Sequence, residues 1–96
     1  MFVVLAVACE KSDSKPGSCF KPQDNVCIDY DAAQSHAGKR LCVGMQWTDA
    51  PCSATGRLGV CKKQDAASAF YSGAPNNYSP AGAKAACEQG GGIWAP

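Results

Sequence analysis

The sequence has one histidine, no two cysteines closer than eight residues, and no apolar run near the ~20 residues that a membrane-crossing helix needs. Each absence closes a class of function. Zinc sites draw their ligands from cysteines two to four residues apart, and thioredoxin-type redox centres need CxxC, so the Cys19 to Cys27 spacing, the shortest present, serves neither. Charge of one sign is also lacking: nine Lys and Arg stand against eight Asp and Glu. That balance creates no field to steer nucleic acid, and the basic pairs Lys39-Arg40 and Lys62-Lys63 are too short to form a phosphate-binding patch. The GxSxG elbow, the phosphate loop and the calcium loop are missing as well. No catalytic residue, metal ligand or cofactor is assigned. His36 reads as a solvent-facing helix residue beside Lys39 and Arg40, and the scattered carboxylates Asp24, Asp31 and Asp65 read as turn and cap residues.

Cysteine, by contrast, is abundant. Seven of them in 96 residues point to a domain too small to hold itself together by apolar burial alone and stapled in an oxidising compartment. Met1 to Ala8 reads MFVVLAVA, the length of the apolar part of a signal peptide, ending in small residues before Cys9. No basic stretch precedes it, so 1–8 reads as a signal-peptide remnant with a truncated start. Leu5-Ala6-Val7-Ala8-Cys9 resembles the lipobox of bacterial lipoproteins. The resemblance implies lipidation of Cys9 and anchoring to a bacterial membrane at the cell envelope, facing periplasm or exterior. Residues 10–18, EKSDSKPGS, offer nothing apolar to bury, so 9–18 is expected to act as a flexible tether.

Setting Cys9 aside leaves six cysteines in 19–96, an even set that permits fifteen pairings. A doubled pattern narrows them. Gly17-Ser-Cys19, Tyr30, Cys42 and Trp47 are followed by Gly59-Val-Cys61, Tyr71, Cys87 and Trp94 in the same order. A strand cysteine and a helix-end cysteine recur together, which points to Cys19 with Cys42 and Cys61 with Cys87, leaving Cys27 for Cys52.

The same pattern predicts the fold class: α+β, with two repeated ββα units over about 17–50 and 51–96. In the first unit the expected strands are 18–20 and 26–30, followed by a helix capped by Asp31 and closed by a left-handed Gly44. In the second, strands 60–62 and 69–71 precede a helix with Ser79 as cap, Pro80 at its first position and Gly90 at its end. The lipobox, the polar spacer and the doubled units together resemble small cysteine-rich bacterial lipoproteins of undefined activity, which implies location and architecture but no chemistry.

Tyr30 and Tyr71, and Trp47 and Trp94, are expected to be equivalent packing residues. The segment 72–78 has no counterpart in the first unit, so Asn76, Asn77 and Tyr78 are the candidate binding residues. The resulting expectation is a non-enzymatic, lipid-anchored domain with a structural or binding role toward an envelope protein or glycan. The alternative is a secreted disulfide-rich inhibitor or toxin-like effector.

Overall fold

The computed structural model describes residues 15–64 and 66–96. The signal-peptide remnant, Cys9, most of the expected tether and the Asp65 turn lie outside these residues. The chain runs β1 (Gly17–Lys21), β2 (Val26–Tyr30), α1 (Ser35–Leu41), β3 (Gln46–Thr48), β4 (Arg57–Lys62), β5 (Ala67–Tyr71), α2 (Pro80–Gln89) and β6 (Ile93–Ala95). All six strands join one antiparallel sheet in the order β3-β1-β2-β5-β4-β6. The architecture is α+β. Gly17 and Ser18 are buried within β1, so the last two residues expected in the tether belong to the sheet.

Strand pairing sorts the side chains onto two faces. Trp47, Cys19, Ile28, Ser68, Cys61 and Trp94 stand opposite one another in a single row across all six strands. Directly opposed residues share a face, and both helices sit on this one, because Cys19 bonds Cys42 at the end of α1 and Cys61 bonds Cys87 within α2. The adjacent row runs Gln46, Phe20, Cys27, Ala69, Val60 and Ala95, and faces the other way. Its centre, Cys27, Ala69 and Tyr71 with Cys52, is buried and flanked by Phe20 and Val60.

Each half adds a third strand, β3 or β6, after its helix, where the sequence pattern anticipated only hairpin and helix. The reason is the tryptophan. Trp47 and Trp94 lie directly over Gly17 and Gly59, and a Cβ at either glycine would overlap the ring. Each tryptophan then meets the aromatic paired with that glycine: Tyr30 at 5.9 Å and Phe70 at 5.8 Å between ring centroids. The counterpart of Tyr30 is therefore Phe70, not Tyr71. A shift of one residue along a strand reverses the face, and Tyr71 points into the opposite layer.

Helix geometry departs from expectation at two caps. Asp31 Oδ1 accepts a hydrogen bond from Gln34 N at 2.9 Å, but this closes a turn ahead of α1, which begins at Ser35 with no side-chain cap. Gly44 was expected to close α1, but the helix closes at its cap residue Cys42 and the left-handed Gly44 (φ 74°) lies two residues beyond it. Gly90 ends α2 as expected, and the left-handed Gly91 (φ 84°), like Gly44, stands three residues before a tryptophan. In α2 the expected cap is present: Ser79 Oγ accepts from Gly82 N at 3.0 Å, with Pro80 opening the helix. Ser79→Ala is expected to cost about 1 kcal/mol, read as a lower denaturation midpoint at constant slope. An unchanged midpoint would mean that α2 is held by Cys87 alone.

Candidate functional site

The residues singled out at 72–78 are strapped into the fold. Asn76 Nδ2 donates to Asp24 O and to Tyr78 Oη, each at 3.0 Å, while Asn25 Nδ2 donates to Ser72 O at 3.0 Å. These bonds tie the loop to the β1–β2 turn, where Asn25 adopts φ 53°. Asparagine tolerates that left-handed conformation better than most residues. Tyr78 is half-buried, its ring edge-on to Phe70 with centroids 5.1 Å apart. Asn76 and Asn77 remain exposed. Tyr78→Ala is therefore expected to lower stability by about 1 to 2 kcal/mol, against the near-neutral effect of an unpacked surface residue, and chemical denaturation measures the difference.

Two further carboxylates serve the scaffold, and the histidine faces solvent. Asp29 Oδ1 accepts from Cys52 N at 2.7 Å, Asp49 Oδ1 accepts from Trp47 Nε1 at 2.9 Å, and His36 is exposed on α1. Among the described residues no three His, Cys, Asp or Glu side chains cluster as a metal site would require, and no helix is long and apolar enough to cross a membrane.

A groove forms instead on the face away from the helices. The connection between the two halves, 49–56, crosses that face and is held there at four points. Cys52 is bonded to Cys27 and hydrogen-bonded to Asp29, Ser18 Oγ donates to Ala50 O at 2.8 Å, and Tyr71 Oη donates to Ser53 O at 2.7 Å. Between this strap and the strand ends opens a groove of about 520 Å³. Phe20, Tyr71 and the Cys27–Cys52 bridge form its floor, and Thr48, Ser53, Thr55 and Ser72 stand around its rim. No residue lining it carries a charge. Two other depressions contrast with it: one of about 500 Å³ beside Trp94, on the helix side of the sheet, contains Lys84 and Glu88, and one of about 510 Å³ contains Asp29, Lys62 and Lys63.

The groove also lies where the two halves differ. Phe20 stands three residues after Gly17, and the residue three after Gly59 is Lys62. Apart from the Cys27 and Cys52 pair and Ser72, the first residue of the 72–78 segment, its residues were not legible as a site, because they come from β1, β3, β5 and three loops that only the sheet order brings together.

Burial, and next the Asp29 carboxylate, raise the pKa of the Tyr71 phenol above its usual value, and Arg57 offsets part of the rise. The folded state thus holds this proton more tightly than the unfolded chain does. Below about pH 10 both states keep it; as pH rises further the unfolded chain releases it first, so stability falls. Tyr71→Phe is expected to flatten that alkaline fall while costing about 1 kcal/mol at neutral pH through the lost bond to Ser53. Denaturation across the alkaline range checks both effects, and an equally steep fall in the variant would place the titration elsewhere. Comparison of the chain with protein-family models, curated proteins and solved structures finds no match.

Proposed function

We propose that this chain is an exported, lipid-anchored binding domain without enzymatic activity, tethered at a bacterial cell envelope through Cys9 and built from two copies of one ββαβ unit. The observation that carries the binding role is the uncharged groove, whose walls are fixed by a disulfide and three hydrogen bonds before any ligand arrives. A preorganised site saves ordering entropy on binding. Its lining of hydroxyls, an amide and aromatic rings consists of recognition groups.

Export is supported by the pairing of Cys19 with Cys42, Cys27 with Cys52 and Cys61 with Cys87, since such bridges persist in oxidising compartments. Cys9 is then the seventh cysteine, outside these three pairs, and the one proposed to be acylated. The two-copy reading is supported by coincident landmarks. Ser35 and Pro80 each begin a helix seven residues before its cysteine, and Gly38 and Ala83, four residues before, are both buried. Both halves then place a left-handed glycine three residues before the tryptophan that covers Gly17 or Gly59.

Mass spectrometry of the mature protein from an envelope fraction tests the anchor. A diacylated N-terminal Cys9 in the membrane fraction is expected. An unmodified, freely soluble product that retains Met1 would remove the lipoprotein reading while leaving the groove to be tested separately.

A further inference from the structure

Resting on the groove as the binding site, we propose that its occupant is an uncharged sugar ring, presented by a neutral oligosaccharide. The first argument is charge. The chain carries nine basic and eight acidic side chains, yet none lines this groove, whereas the two other depressions both contain charged groups. A phosphate, carboxylate or ammonium placed there would lose hydration with no charged side chain in the lining to replace it, Asp29 and Arg57 acting on Tyr71 from outside the lining and with opposite signs.

The second argument is the pairing of rings with hydroxyls. Phe20 is half-exposed and held by an edge-on contact with Tyr71, their centroids 6.3 Å apart. Its fixed ring offers an apolar surface for the C–H face of a pyranose. Around it stand four hydroxyl side chains, Thr48, Ser53, Thr55 and Ser72. A hydroxyl both donates and accepts, as every sugar hydroxyl does. Ser72 Oγ donates to Gly56 O at 3.5 Å, but an alkyl or aromatic ligand would take water from the Thr48, Ser53 and Thr55 hydroxyls without replacing its hydrogen bonds. Ser53 is already oriented for this role: its Oγ accepts from Thr55 N at 3.1 Å, which leaves the O–H to donate outward.

Size and rigidity agree. A groove of about 520 Å³ falls in the range of pockets that take small ligands, about 300 to 1,000 Å³, with room for one or two rings. Sugars bind weakly because each contact replaces one made to water, so a site must spend little on ordering itself. The Cys27–Cys52 bridge and the Tyr71 to Ser53 bond hold both walls in advance. Among the described residues the other half offers no equivalent ring. Lys62 takes the place corresponding to Phe20 in the other half, so one sugar per chain is expected.

The test is an amide-shift titration of the oxidised chain with three sets of probes. They are neutral trisaccharides of glucose, mannose, galactose and N-acetylglucosamine, an anionic uronic acid trisaccharide, and a proline-rich decapeptide. Saturable shifts at Phe20, Ser53 and Thr55 with one of the neutral trisaccharides, at a stoichiometry of one, are expected. Phe20→Ala should weaken this binding roughly tenfold or more. Since Phe20 flanks the core and its loss can also loosen the fold, Thr48→Lys is the second variant. Thr48 is exposed at the rim, so the variant should keep its melting temperature while blocking the groove.

Groove shifts with the peptide or the anionic sugar alone would overturn the sugar assignment and leave the groove standing as a binding site. Shifts centred instead on Trp94 and Ile93, unchanged by Thr48→Lys, would overturn both. Absence of any groove response to every neutral trisaccharide at about 10 mM would also overturn the sugar assignment.

Discussion

Reduction of the three disulfides is expected to unfold the domain at room temperature. Cysteine supplies five of the eight buried apolar residues among those described, so the bridges are the greater part of the core as well as its cross-links. Their sequence separations are 23, 25 and 26 residues. Loops of that length restrict the unfolded chain by about 3 to 4 kcal/mol each, or about 10 kcal/mol together. A small domain has about 5 to 15 kcal/mol in all. Circular dichroism during heating, with and without a phosphine reductant, should show a cooperative transition only in the oxidised protein. A transition that survives full reduction would mean that the packing of Phe20, Val60, Ala69 and Tyr71 sustains the sheet unaided.

Among single substitutions, those at the tryptophan and glycine contacts are expected to be severe. Trp94 rests on Gly59 and packs against Phe70, so Trp94→Ala removes one side of both contacts and should cost about 2 to 3 kcal/mol for a half-buried ring. Gly59→Ala attacks the same contact from the backbone side, because the added methyl overlaps the indole. Displacing the ring should cost about 1 to 3 kcal/mol. The two substitutions cannot add, since an alanine at 59 has no ring to displace once Trp94 is gone. The double variant should therefore be more stable than the sum of the single losses allows, by about 1 kcal/mol or more. Strict additivity in equilibrium denaturation would show that Trp94 stabilises the domain through other neighbours.

The strand and helix landmarks were legible because they are local. Val26–Tyr30 alternates between faces and follows a turn-forming segment, and Ser79-Pro80 is a helix start on chemistry alone. Asp31 misled because its carboxylate serves equally well to close a turn or to cap a helix. The identical Oδ1 to backbone N bond occurs in both, and the half-buried Tyr30 ring against Gly38 belongs to the tertiary packing. Tyr71 misled for a related reason. Phe70 and Tyr71 are adjacent aromatics, and only the pairing of Gly59 with Phe70, after the register shift between Arg57 and Gly59, decides which of them faces the helices.

By itself the sequence determined the class of molecule: a small α+β domain stapled by disulfides, whose partners the order of cysteines, strands and helices pointed to. Spacing along the chain carries that information because a strand and the helix that returns over it are joined by short connections. Tertiary structure alone decided that the two halves meet through β2 and β5, that 49–56 is drawn across the face away from the helices, and that Phe20, Thr48, Thr55 and Ser72 surround one uncharged groove. Those residues come from three separate stretches of the chain, and none carries a spacing rule. They become neighbours through the order and register of β1, β2, β3 and β5 and through the Cys27–Cys52 bridge that draws 49–56 across the sheet.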